Sequence, residues 1–121
     1  MTSLLAAGNI GEGNAYNTVG EPATGKNIIA VGSHHNGGIS ASRYSKGIEY
    51  ASGFSSRGPT KDGRMKPDVL APGHFILSAG AKPQEFGECD PTVGTVEPGE
   101  HKDGLLSMEG TSMAAPGKLL K

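Results

Sequence analysis

Seven residues near the end of the chain, Gly110-Thr111-Ser112-Met113-Ala114-Ala115-Pro116, have the composition of a nucleophile's setting. A serine hydroxyl attacks a carbonyl only when a base takes its proton and donors receive the oxyanion. A serine at a helix N-terminus has free backbone N–H groups and the positive dipole end beside it. Thr111 is expected to be the N-cap, and Met113, Ala114 and Ala115 favour helix after it. Small neighbours let a substrate backbone come close. Pro116 is the odd residue, because a proline there leaves the Ser112 carbonyl without its helical partner. A broken local rule beside a candidate nucleophile points to function.

Other segments stand in a fixed order ahead of this motif. They are Ala6-Ala7-Gly8-Asn9, Pro22-Ala23, Asn27-Ile28-Ile29-Ala30-Val31-Gly32, Phe54-Ser55-Ser56-Arg57-Gly58-Pro59, and Lys66-Pro67-Asp68-Val69-Leu70-Ala71-Pro72-Gly73. Together with the serine motif they resemble the subtilisin-like serine proteases over roughly residues 4 to 116. The resemblance implies an α/β fold, part of a three-layer architecture with a mostly parallel sheet and a truncated serine helix. It implies a serine endopeptidase lineage acting on polypeptide substrates. Ser112 would be the nucleophile, and Asn9 would pair its carboxamide with the Ser112 N–H around the oxyanion. Ala6, Ala7 and Gly8 would line one wall of the pocket for the residue before the scissile bond. Gly20 and Glu21 would lie near that pocket's floor; an inward Glu21 would favour a basic residue, while a solvated loop glutamate is the plainer alternative. The family's chemistry needs no cofactor, its members often bind structural calcium, and many are secreted or lodged in lytic compartments.

The elements that must position these residues are short. Glycine is 20 of 121 residues, against an average near 7%, aromatics are 5% and tryptophan is absent. That composition predicts loops hung on a few strands within one partial catalytic domain, residues 1–121. Leu4–Ala7 reads as a buried strand ending at Gly8, and Ile28–Val31, β-branched and closed by Gly32, as the best strand in the chain. Ile48–Ala51, Val69–Ala71 and Phe75–Leu77 read as further strands, and Leu105–Met108 leads into the serine helix. Residues 8–26 and the Gly/Pro-rich 80–104 read as excursions. Short uninterrupted apolar strands suit a parallel sheet covered on both faces.

A net charge of −1 gives no electrostatic case for nucleic acid or membrane surfaces, and no apolar run is long enough for a membrane span. The acids gathered at 84–110 (Glu85, Glu88, Asp90, Glu97, Glu100, Asp103, Glu109) have no calcium-loop spacing and read as a solvated surface. Cys89 is alone, so no internal disulfide is expected. His34-His35 would point to opposite faces of a strand and converge poorly on one ion, so no metal is expected there. Gly20–Asn27 approximates a phosphate loop, but Asn27 replaces the hydroxyl and the segment opens a strand instead of a helix.

In the family the triad aspartate and histidine precede the oxyanion asparagine. Here His34, His35, His74 and His101 all follow Asn9, and Asp68 falls in a structural segment. The resemblance therefore implies that the base and acid lie outside this chain, with the missing N-terminal half of the domain as a partner. The alternative is a non-enzymatic fragment that binds a partner or peptide.

Overall fold

The computed structural model describes residues 3–37, 45–79 and 105–117. The excursion at 80–104, with Cys89 and His101 in it, lies outside the described residues, as does the tail after Gly117. Among the described residues, five strands and one α-helix follow in order: β1 (Ser3–Ala6), β2 (Ile28–His35), β3 (Val69–His74), β4 (Ile76–Ala79), β5 (Leu105–Met108) and α1 (Thr111–Gly117), with a short 3-10 turn at Glu12–Asn14. The first three form one parallel sheet in the order β1-β2-β3. β4 and β5 pair antiparallel, Ile76 opposite Met108.

Alternation along the strands assigns the two faces. Val31 and Ala71 pack against Ala114 of α1, with Leu4, Ile29, Val69 and Ala115 around them. On the opposite face Ala7, Ala23 and Ala30 form a second cluster flanked by Leu5 and Val19. The buried apolar side chains are alanines and one valine. Packing at this scale rests on close approach of backbones, and Gly73 shows why. A Cβ there would lie 2.6 Å from the Gly110 carbonyl oxygen, 2.6 Å from Ser33 Oγ and 3.0 Å from the Ala114 Cβ. Gly73 also accepts the Gly110 N–H at 2.8 Å, so β3 holds the run into α1 directly.

Two strands run further than the sequence pattern suggests. Gly32 does not stop β2, because residues 50–52 pair along its far end: the Ser52 N–H donates to Ser33 O at 2.9 Å and the His35 N–H to Tyr50 O at 2.9 Å. Ile48–Ala51 is accordingly a turn and a single bridge, His34 to Ala51, and not a strand. Pro72 does not stop β3, which closes one side of the three-stranded sheet. An edge strand tolerates a proline whose missing N–H faces outward.

The register of β2 against β3 is locked at its base by Lys66 and Asp68. The buried Lys66 ammonium donates to Ile28 O at 2.7 Å and to Asp68 Oδ2 at 2.6 Å. The same carboxylate oxygen accepts the Ala30 N–H at 2.7 Å, and the Asp68 N–H returns a bond to Ala30 O at 2.9 Å. Burial opposes the Asp68 charge, but the hydrogen bonds from Lys66 and Ala30 and the lysine's charge outweigh it and hold the carboxyl below its ordinary range.

The close approach at Gly73 yields a direct test. Gly73→Ala is expected to lower stability by about 1–3 kcal/mol, because neither the Gly110 carbonyl nor the sheet can retreat without losing contacts. Gly53→Ala, where a Cβ meets nothing within 4 Å, is the control and should be neutral or slightly stabilising. Urea unfolding midpoints of the two variants decide; equal midpoints would contradict the packing account.

Candidate active site

The loop after β1 carries Asn9, and three bonds pin it to the Phe54–Ser56 segment. The Ser56 N–H donates to Gly8 O at 2.9 Å, and the Gly11 N–H to Phe54 O at 2.8 Å. Between them the Ile10 N–H donates to Ser56 Oγ at 3.2 Å. Asn9 is therefore held on both flanks. Ser55 and Ser56 are both buried: Ser55 Oγ accepts the Ser33 N–H at 3.0 Å, so the same segment reaches back to β2.

Asn9 and the serine turn meet through Thr111. Asn9 Oδ1 accepts the Thr111 N–H at 2.9 Å and the Thr111 hydroxyl at 2.9 Å. The hydroxyl in turn accepts the Gly8 N–H at 3.1 Å. A backbone N–H only donates, so the atom it meets must be the carboxamide oxygen, and this fixes which way the amide points. The Asn9 NH₂ is left on the other side, toward Gly110, where a Cβ would lie 3.2 Å from Nδ2. Gly110 has φ +151, a backbone value that favours glycine.

Thr111 is thus not the N-cap expected from its type. It is the first helical residue, only 1% exposed, and its hydroxyl is committed to Gly8 and Asn9 instead of to its own helix. The Met113 and Ala114 N–H groups point back to Gly110 O at 3.1 and 3.4 Å. Ser112 is exposed and makes no hydrogen bond among the described residues, through either its hydroxyl or its N–H. Pro116 lies inside α1, as its position suggests.

The expected substrate contacts separate. Ala6 and Gly8 are partly exposed. Ala7 is 1% exposed and faces Ala23 and Ala30, so its methyl packs inside. Gly20 is exposed, with its N–H directed to Ala7 O at 3.4 Å. Glu21 is exposed and lines a cleft of about 390 Å³ with Asn17, Val19, Thr24 and the Thr60–Arg64 turn. Neither Asn9 nor Ser112 lines that cleft. In the turn beside it, Asp62 bonds Arg64 at 2.9 Å and also Thr60, which lowers its carboxyl to about 2.

The histidines had no assigned role in the sequence, and the fold gathers two of them. His35 is buried and its ring stacks on His74, centroids 4.2 Å apart. His74 Nε2 faces Glu109 Oε2 at 3.3 Å. His34 turns its Nδ1 to the His35 carbonyl at 2.7 Å. Burial lowers the His35 pKa, reinforced by His74, Lys46 and His34 and opposed by Glu109. Spacing alone offered no signal for this cluster, since His35 and His74 come from different strands. Among the described residues no three His, Cys, Asp or Glu side chains gather as a metal would require, and no helix is long and apolar enough to cross a membrane.

Comparison with known proteins shows the family. A model of the subtilase family, peptidase S8, matches residues 1–117. The serine protease AprX of Bacillus subtilis is 34% identical over 112 residues, which is 93% of this chain and 23% of that protein. The serine protease/ABC transporter B family protein tagB of Dictyostelium discoideum is 45% identical over 64 residues, 52% of this chain and 3% of that protein. Among solved structures, sphericase superposes with a TM-score of 0.56 at 25% identity, covering 96% of this chain and 30% of that one. The chain spans less than a third of the length of each of these three proteins.

Two predictions follow from the bonds just described. Thr111→Val keeps the shape but strands the Gly8 N–H and removes one bond to Asn9; it should destabilise by about 1–3 kcal/mol in urea unfolding. An unchanged midpoint would show that the bridge carries nothing. For His35 the folded state favours the neutral ring relative to the ordinary value of 6.5. Its contribution is fully present above 6.5 and declines as pH falls through that value toward the folded pKa. Stability measured across this window should therefore fall on acidification, with a shallower fall in His35→Phe.

Proposed function

The chain belongs to the subtilase family, and on that premise we propose that it supplies the nucleophile and oxyanion side of a serine endopeptidase site. Ser112 Oγ would form the bond to the peptide carbonyl carbon as a histidine takes the hydroxyl proton. The carbonyl electrons would move onto oxygen, between the Asn9 NH₂ and the Ser112 N–H. Collapse of that intermediate would break the C–N bond and leave an acyl-serine, which water then hydrolyses. The observation that carries this reading is the pair of hydrogen bonds from Thr111 to Asn9 Oδ1, which turns the carboxamide's donor end toward the Gly110–Ser112 turn.

No histidine among the described residues bonds Ser112, and His74 is engaged by Glu109 and His35. The histidine and aspartate would therefore come from polypeptide outside this chain, with the open edge of β1 as one place for it to join. Alone, the chain would be inactive. In subtilisin, loss of the histidine lowers turnover on the order of 10⁶-fold, a magnitude carried over from that enzyme. Ala6 and Gly8 would border the substrate, and a basic preference through Glu21 would require that cleft to open toward Ser112. Structural calcium, where bound, would serve the fold and not these bond-making steps.

A fluorophosphonate probe tests the proposal. The chain alone should resist labelling, whereas addition of a polypeptide carrying a subtilase aspartate and histidine should produce labelling at Ser112. Ser112→Ala should abolish that labelling. Asn9→Ala should reduce peptide turnover of the reconstituted site by about 10²–10³, the effect of removing one oxyanion donor in subtilisin. Rapid stoichiometric labelling of the isolated chain would refute the inactivity proposed here. Association without any labelling would favour a non-enzymatic binding role instead.

A further inference from the structure

β2 and β3 shift register between His34 and His35, and the shift places His35 opposite His74. The two rings stack at 4.2 Å with 20° between their planes. Phe54 and Phe75 flank His74 at 5.6 and 4.6 Å. The charged and titratable groups facing His35 are His74, Lys46, Glu109 and His34; the Lys46 N–H also donates to His35 Nδ1 at 3.3 Å. His74 faces Glu109 through Nε2, while its Nδ1 is buried without a hydrogen-bond partner.

The proton count in this cluster is constrained. Neutral His74 with its proton on Nε2 presents that N–H toward Glu109 Oε2 at 3.3 Å and leaves Nδ1 unprotonated. A second proton on Nδ1 would be a buried donor with no acceptor, and its charge would stand against a second imidazole.

Glu109 connects this cluster to the serine turn. It immediately precedes Gly110-Thr111-Ser112. Two successive rungs join β3 to this run: Gly73 O accepts the Gly110 N–H at 2.8 Å, and His74 meets Glu109 at 3.3 Å. Gly110 O receives the first N–H groups of α1, and the next residue bonds Asn9. A change at Glu109 is therefore passed through two peptide units to Thr111, the residue that holds Asn9.

We infer that Glu109 and His74 are positioning residues for the Ser112 turn, and that proton uptake by the His35–His74 stack shifts that turn. This rests on Ser112 as the reacting position. The test reads the turn itself, so it stands apart from any labelling of the serine.

The experiment is an NMR pH titration of the full chain, following the His74 imidazole together with the Thr111 and Ser112 backbone amides. In the parent, both amides should move with the same midpoint as His74. Glu109→Gln keeps an oxygen acceptor at a half-exposed position but removes the charge, and should suppress the amide step while His74 still titrates. His74→Phe keeps a ring for the stack, removes the proton and should abolish the step. Amides that stay flat in the parent overturn the inference, and so does a step that persists undiminished in either variant.

Discussion

A carboxamide carries its acceptor and its donors at opposite corners of one plane, so fixing one end aims the other. In this chain the acceptor end of Asn9 is held by two bonds from Thr111, a residue 102 positions away in sequence. The Gly8 N–H completes the link by donating to the Thr111 hydroxyl. Three hydrogen bonds thus join the end of β1 to the start of α1, with the hydroxyl as donor and acceptor at once. Bonds in such a chain polarise one another, and a partly buried donor left unmatched is destabilising. The donor end of Asn9 keeps its orientation only while this link holds.

The link demands short distances, and short distances demand small side chains. Gly73 lets the Gly110 carbonyl and the Ser33 hydroxyl lie where any Cβ would collide. Ala71 and Ala114 meet across the same gap. The glycine-rich, aromatic-poor composition is the sequence expression of that closeness. Its consequence is a core with little apolar area per residue, so buried polar groups contribute much of the cohesion. Ser33 and Ser52 share a bond of 2.7 Å, and Ser55 and Ser56 tie β2 and the Asn9 loop to one segment. Lys66 does the same at the base of the sheet, where removal of either partner would leave a charge poorly matched.

Local chemistry made some of this legible in sequence. Ile28, Ile29 and Val31 announced β2, and the order of Asn9, Phe54–Gly73 and Ser112 pointed to one site. The end of β2 was not legible, because Gly32 reads as a stop until residues 50–52 supply partners across it. Thr111 was read as a cap from its type and place, yet its hydroxyl had a better acceptor in a residue distant along the chain. The inward turn of Ala7 depends on a register with β2 that no single strand encodes. His35 and His74 meet only after a bulge in the β2–β3 ladder, a feature with no local signature. In each case the missing information was a non-local pairing.

The same pairings bear on the proposal that Ser112 is a nucleophile whose base comes from elsewhere. Ser112 stands exposed on a turn whose supports all lie beneath it: Gly73 under Gly110, Asn9 under Thr111, Ala71 and Val31 under Ala114. The histidines of the described chain are committed elsewhere, His35 and His74 to their stack and His34 to a backbone carbonyl. His35 and His74 also sit on the paired ends of β2 and β3, beside the Gly73 carbonyl that holds Gly110. On the proposed reading the base approaches from the exposed side, where no described side chain bonds the hydroxyl. An oxyanion site arranged in advance needs no reorganisation when charge develops, so it works in concert with a base supplied by another segment. On that reading, fixing the Asn9–Thr111 link within one stretch of chain, while leaving the hydroxyl open, would divide the site into a rigid half and a half brought to it.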